Sequence, residues 1–291
     1  MGATVESELQ GGHVLILGGG IAGLSAAYFL KNSRIPVTVL DALEGPGGNC
    51  RTIDVDGFSF DTGAHRIHDK DPEITLQIKK LMGSSLKRVN APSRIFDNGR
   101  LLSFPIEPRD VFTRMNPSFT IRAGMDLLRS RNGRTAEKNF ENFAVRSYGR
   151  SMAERFLLNY SRKLWGMPCH ELSQEISGER LKNMTLATLI RNLFSKRHAE
   201  RAHYEGEFYY PEGGIGRLPG ALAARIGPES ILLGHRVTDI FHNGSRIERI
   251  QLMGNGSMDV RQVVSTLPVT DLVAMMRPAP PEMIQIGRAH V

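Results

Sequence analysis

Cysteine is scarce in this chain, with only Cys50 and Cys169 among 291 residues. That count excludes a disulfide framework and a four-cysteine zinc site. The nine histidines are scattered, without H-E-x-x-H or an equivalent spacing, so no metal-ligand set is visible. Ser265 and these histidines offer no nucleophile–base pairing at the level of sequence. No apolar run approaches the roughly 20 residues that a membrane-crossing helix needs. The opening Met1-Gly-Ala-Thr-Val-Glu-Ser-Glu has neither the basic region nor the apolar core of a secretory signal. Together these absences make a reducing, cytoplasmic setting the expectation. The single tryptophan, Trp165, and the Phe- and Met-rich helices are read as core rather than as a cofactor box.

What is present is a globular composition, 41% hydrophobic and 23% charged. The length suits one large domain or two ordinary ones. A net charge of +7 is concentrated around Arg129–Arg134 and Lys196–Arg201. Its plainest reading is a solvated helical face. A sharper one is attraction to an anionic small-molecule substrate, or peripheral contact with an acidic membrane surface. No recognition motif accompanies the charge, so nucleic acid is not an expected partner.

Residues 1–11 are polar and expected to be disordered. His13–Leu17 is a short apolar run of the kind buried on both faces of a parallel sheet. A glycine cluster follows, then a helical stretch over Leu24–Lys31 and a second β-branched strand at Pro36–Leu40. Residues 43–66 are rich in Gly and Asp and read as a structured loop region. From about 70 to 225 the pattern reads as mostly helical, with loops at Asn90–Gly99 and Pro105–Pro108; Asn139–Trp165 is its clearest helix, with Phe140, Phe143, Ala144 and Tyr148 recurring at helical spacing. Strands return at Ile231–Leu233, Val237–His242, Ile247–Met253 and Val260–Ser265, between Gly-containing turns.

Gly18-Gly19-Gly20-Ile21-Ala22-Gly23 satisfies G-x-G-x-x-G between a strand and a helix. In that pattern Gly18 makes the tight turn, Gly20 lets backbone approach a pyrophosphate, and Gly23 lets helix pack on strand. The helix start, with Ile21 and Ala22, presents free N–H groups and a positive dipole end to the phosphates. Asp41, at the end of the second strand, is the acid whose carboxylate accepts ribose hydroxyls. Strand, glycine turn, helix, strand and acid together specify a dinucleotide site.

The stretch Asp41-Ala-Leu-Glu-Gly-Pro-Gly-Gly-Asn-Cys-Arg-Thr resembles the second half of the flavin fingerprint of the amine oxidase, protoporphyrinogen oxidase and phytoene desaturase superfamily. Gly47 and Gly48 match its Gly-Gly-Arg turn. Asn49 stands at the arginine position and Arg51 comes two residues later. The Gly-Gly-Asn form is similar to that of UDP-galactopyranose mutases. Phe60-Asp-Thr-Gly-Ala-His-Arg resembles the D-x-G-x-H segment that passes near the flavin ring. Lys163-Leu-Trp-Gly, Phe208-Tyr-Tyr-Pro-Glu-Gly-Gly-Ile-Gly, His235-Arg-Val-Thr and Val264-Ser-Thr-Leu-Pro resemble further segments of that superfamily. The resemblance spans roughly residues 12–275.

It implies an α/β chain: a Rossmann-like FAD-binding domain over 12–90 and 226–285, interrupted by a mainly helical substrate domain over 91–225. It implies FAD as cofactor, held by Gly18, Gly20, Ile21, Ala22, Gly23, Asp41, Gly48, Arg51, Gly63, His65 and the backbone of Val237. His65 and Arg66 are the candidates for groups that face the ring and act in catalysis.

The function expected first is hydride transfer from a small organic substrate to flavin. The alternatives are a non-redox isomerase of UDP-galactopyranose mutase type and a nucleotide-binding fragment without turnover. The closing Ile286-Gly-Arg-Ala-His-Val reads as the translation of a common short-read sequencing adapter. Residues 286–291 are therefore expected to be an assembly artefact, with the true frame continuing through a Gly-rich strand–helix segment.

Overall fold

The structure is a computed structural model. It describes residues 7–8, 12–104, 106, 108–131, 139–177 and 207–279. These fall into two compact units, one drawn from 1–89 and 208–291, the other from 90–207.

The first unit is built on a four-stranded, all-parallel sheet in the order Ile231–Leu232, Val37–Leu40, Val14–Leu17, Val263–Ser265. Its central strands are buried at every position. Alternate side chains of a strand point to opposite faces. On one face Val14, Ile16, Val37 and Val39 meet Leu24 and Ala27 of the helix Ile21–Asn32, and Leu222 and Ile226 of the helix Arg217–Ile226. On the other, Leu15, Leu17 and Leu40 meet Val237, Ile240, Ile250, Leu252 and Met258 of a second sheet. That sheet runs Ser7–Glu8, Ser257–Asp259, Ile247–Leu252, Val237–His242, Met276–Arg277. The result is helix, parallel sheet and second sheet in three layers. Each fully buried side chain contributes about 1.5–3 kcal/mol of apolar burial.

Several expectations are corrected here. Ser7–Glu8 pairs in parallel with Met258–Asp259, so the N-terminal stretch is not uniformly unstructured. Residues 43–66 contain the hairpin Thr52–Val55/Phe58–Asp61, and the loop read at Asn90–Gly99 contains half of the hairpin Arg94–Asp97/Arg100–Ser103. Leu86–Asn90 and Glu207–Pro211 are strands inside the stretch read as helical. Val260–Ser265 is not one strand: Ser257–Asp259 and Val263–Ser265 belong to different sheets. The helix Arg217–Ile226, read as part of the insertion, packs within the first unit.

The second unit is mainly helical. Its core gathers Phe140, Phe143, Ala144, Ala153, Leu158, Cys169 and Leu172. The helix expected over Asn139–Trp165 breaks at Gly149 (φ 75°), where a Cβ would lie 2.8 Å from the Leu127 amide nitrogen. It resumes as Arg150–Ala153, passes through a π-helical turn over Glu154–Leu158, and ends as Asn159–Trp165. Among the described residues no helix is long and apolar enough to cross a membrane. Residues 132–138, 178–206 and 280–291 lie outside the description, and with them most of the two basic clusters and the C-terminal hexapeptide.

Candidate cofactor site

The strand Val14–Leu17 ends in Gly18, whose φ of 103° suits glycine and turns the chain sharply. Its N–H donates to the Leu40 carbonyl at 2.8 Å, tying the turn to the neighbouring strand. A Cβ on Gly23 would collide with the Gly18 carbonyl, so this contact between helix and strand admits only hydrogen. Behind the turn the Thr266 hydroxyl donates to the Leu17 carbonyl at 3.0 Å, and would lie 2.5 Å from a Cβ on Gly18. The helix Ile21–Asn32 opens from Gly20 without a side-chain cap and with no acid in its first turn. Its first amides and its dipole are left without internal compensation.

A second glycine turn faces the first. The Gly47 N–H donates to the Gly19 carbonyl at 2.8 Å, and Gly20 and Gly47 form a parallel bridge. Gly47 and Gly48 have φ of 122° and 57°. A Cβ on Gly48 would lie 3.1 Å from Gly20 Cα, and one on Gly47 would meet Pro219 at 3.0 Å and the Arg51 chain at 3.4 Å. Among the described residues the buried Arg51 Nε meets no hydrogen-bond acceptor. A buried guanidinium N–H without a partner is costly, and an anion removes that cost.

Asp41 sits beside both turns. Its Oδ2 accepts from the Gly19 N–H at 2.5 Å and its Oδ1 from the Leu43 N–H at 2.8 Å. Its backbone is held by Leu232 and His235. Each carboxylate oxygen keeps a lone pair beyond those bonds.

His65 is folded back onto the second turn. Its Nε2 lies 2.8 Å from the Asn49 carbonyl and its Nδ1 3.9 Å from Cys50 Sγ. A carbonyl only accepts, so Nε2 carries the proton and Nδ1 faces the thiol. Burial, then the charge of Asp61, raise the Cys50 thiol above its ordinary value. The neighbour of Gly63 is this same ring, with Nε2 3.1 Å from a Cβ placed there. Arg66 points elsewhere, its guanidinium 4.8 Å from the Phe208 ring centroid. Val237 puts its side chain into the core beside Leu40 and pairs opposite Leu252 in the second sheet.

The structure thus joins Gly18, Gly20, Ile21, Ala22, Gly23, Asp41, Gly48, Arg51 and His65 through two opposed turns, while Val237 packs beside Leu40 and Arg66 on Phe208. Asp61, Tyr210 and Thr266 lie in segments that carry the resemblance, but the sequence assigned none of them a role. Asp61 accepts from Thr52 Oγ1 at 2.7 Å, from the Ile215 N–H at 3.1 Å, and from the Tyr210 hydroxyl. Burial pushes its carboxyl up, but these three hydrogen bonds and the nearby His65 hold it below the usual range. Burial, then the bond to Asp61 and its charge, push Tyr210 up to about 12. No residue spacing signals this cluster, because its bonded partners lie up to 154 positions apart.

A dinucleotide with a diphosphate suits this donor set. The Gly20 Cβ position is open except for Gly48 Cα at 3.9 Å, so the place a ligand would take is one that a side chain would fill. Uncapped amides and an unsatisfied guanidinium N–H face negative charge well.

Comparison with known proteins agrees. A family model described as flavin containing amine oxidoreductase matches residues 21–286. The chain is 24% identical to protoporphyrinogen oxidase 1, chloroplastic, of Arabidopsis thaliana, with 95% of this chain and 58% of that protein covered. It is also 24% identical to the zeta-carotene-forming phytoene desaturase of Myxococcus xanthus, covering 88% and 52%. It therefore spans little more than half the length of these relatives. A crystal structure of reduced UDP-galactopyranose mutase superposes with a TM-score of 0.80 at 22% identity, covering 95% of this chain and 60% of that one.

Proposed function

We propose, from the premise that this chain belongs to the flavin containing amine oxidoreductase family, that it carries the FAD site of an oxidoreductase acting on a small organic molecule. The observation that carries this reading is the pair of opposed glycine turns with the unpartnered Arg51 Nε beside them. Bound there, FAD supplies the hydride-accepting chemistry, and the protein supplies orientation and electrostatics.

The chain's own residues have separable tasks. The amides at the start of the helix Ile21–Asn32 and the Arg51 guanidinium bind the diphosphate. The remaining lone pairs of Asp41 accept the ribose hydroxyls, and the acid's bond to the Gly19 N–H keeps the loop in register. With both ring nitrogens of His65 directed at Asn49 and Cys50, its task is to hold the second turn rather than to move a proton. Arg66 packs its guanidinium on the Phe208 ring, where it would supply positive charge toward an anionic substrate group.

The second reading, a non-redox isomerase of UDP-galactopyranose mutase type, is favoured by one observation: Asn49, not arginine, follows Gly47-Gly48. Anaerobic mixing separates the two. An oxidoreductase bleaches its flavin when given an amine or a porphyrinogen-like substrate. A mutase converts UDP-galactopyranose to its furanose isomer with no net change in flavin redox state. A folded protein that binds no FAD and does neither supports the non-catalytic reading.

Peripheral membrane contact is a further part of this reading, and the helix Pro117–Arg131 supports it. Ile121, Met125 and Leu128 are exposed on one stripe, with Arg122 and Arg129 exposed along its edge. Apolar side chains flanked by arginine suit an anionic lipid surface. Vesicles of anionic lipid should sediment the protein, and the triple substitution I121S/M125S/L128S should abolish this; equal sedimentation of both would contradict it.

A further inference from the structure

Asp61, Thr52 and Tyr210 take no part in the tasks above, yet they form a closely hydrogen-bonded polar cluster. Thr52 and Asp61 are direct partners across their hairpin. Asp61 accepts three hydrogen bonds, from the Thr52 hydroxyl, the Tyr210 hydroxyl and the Ile215 N–H. Thr52 Oγ1 in turn accepts from the Gly216 N–H at 2.9 Å. Two consecutive amides of the turn at 213–216 are therefore fixed, one by the carboxylate and one by the hydroxyl that the carboxylate orients. The fit is close enough to require glycine. A Cβ on Gly214 (φ 98°) would collide with the Thr52 side chain, and one on Gly216 would lie 2.9 Å from the Thr52 nitrogen.

That turn opens the helix Arg217–Ile226. The Leu218 N–H donates to the Ile215 carbonyl and the Gly220 N–H to the Gly216 carbonyl, so fixing 215 and 216 fixes the helix start. One turn along, buried Pro219 is the side chain that a Cβ on Gly47 would meet at 3.0 Å. Gly47 itself donates to Gly19. A continuous path of hydrogen bonds and packing thus runs from the carboxylate to the second glycine turn, all within the first unit.

We propose that Asp61 is a positioning residue for the cofactor cradle, acting through Thr52, Tyr210 and the turn at 213–216 to seat Pro219 against Gly47. The cofactor half of this rests on the FAD reading above; the coupling between turns does not. Ionised, the carboxylate receives three hydrogen bonds at once, charge-assisted and stronger than neutral ones. Its neutral amide isostere keeps one oxygen for Thr52 and Ile215 but loses the charge, and its N–H₂ obliges the Tyr210 hydroxyl to turn round and accept.

The test compares wild type with Asp61→Asn and Tyr210→Phe, by amide hydrogen exchange without flavin and by FAD titration. The amides of Gly47 and Cys50, bonded to Gly19 and Gly47, report on the cradle. In Asp61→Asn, exchange should rise about tenfold both over 211–220 and over 44–51, with the strands Val237–His242 and Ile247–Leu252 unchanged. The FAD Kd should rise about tenfold, equivalent to ~1.4 kcal/mol. Tyr210→Phe, which removes one donor and keeps the charge, should shift the same two segments by less. A rise confined to 52–61 and 211–216 would overturn the proposal, as would a uniform rise over the whole unit or an unchanged FAD Kd. Wild-type protein that binds no FAD while 44–51 still responds to Asp61→Asn would overturn the cofactor reading and leave the coupling standing.

Discussion

Gly20 and Gly23 stand three residues apart in one motif, yet the structure gives them different reasons to be glycine. Gly23 has no room within the protein itself, because a Cβ there meets the Gly18 carbonyl. Gly23→Ala should therefore cost stability, on the order of 1–3 kcal/mol for overpacking, visible in thermal unfolding without flavin. A thermal midpoint equal to wild type would show that the helix simply shifts away. Gly20 has room, so its substitution should leave unfolding almost unchanged and act on the ligand. Such residues were legible because the motif states a backbone requirement directly. Asp61, Thr52 and Thr266 were not, because their roles are hydrogen bonds closed by tertiary contact between distant segments.

At the scale of the element, the parallel strands were readable from their unbroken apolar runs, and their alternation assigns each side chain to one of two cores. Both hairpins were missed although their turns carried a signal. Asp56-Gly57 and Asn98-Gly99 have positive φ at both positions, as type I′ turns require. The first was hidden by its inverted faces: Ile53, Val55, Phe58 and Phe60 are exposed, while Thr52 and Asp61 point to the protein. Patterning that assumes apolar residues face inward misreads such a strand pair.

The broken helix of the second unit carries its own prediction. Asp126 accepts from the Ser151 N–H at 3.2 Å and from its hydroxyl, capping the segment that begins at Arg150. The Ser151 hydrogen bonds, opposed by burial and aided by Arg122 and Arg129, hold its carboxyl below the usual range. A depressed folded-state pKa stabilises above the unfolded value and is lost as pH falls through the folded one. Protection of amides 150–153 should therefore decline below about pH 4, the ordinary aspartate range. Asp126→Ala should remove about 0.5–2 kcal/mol at neutral pH, as for a lost helix cap. Equal exchange in variant and wild type at pH 7 would contradict the capping role.

For the molecule as a whole, two units divide the work. The first unit, three-layered, supplies every residue of the opposed glycine turns, and the second supplies a helical body with an arginine-edged apolar stripe. The α/β class and the two glycine turns with Asp41 beside them were legible because glycine spacing, strand composition and the acid at 41 are local signals. The extent of the inserted unit was less so: the strand Glu207–Pro211 and the helix Arg217–Ile226 flank a segment whose resemblance names no unit, and only their packing assigns them.

The central claim is that the opposed glycine turns hold FAD. Its most direct measurement is FAD titration of the wild-type chain beside Gly20→Val, with thermal unfolding of both as the control for folding. Saturable binding near one FAD per chain in wild type, lost in a variant that unfolds at nearly the same temperature, is the predicted result. Equal binding by both proteins would contradict the site, and no binding by a folded wild-type chain would contradict the cofactor assignment itself.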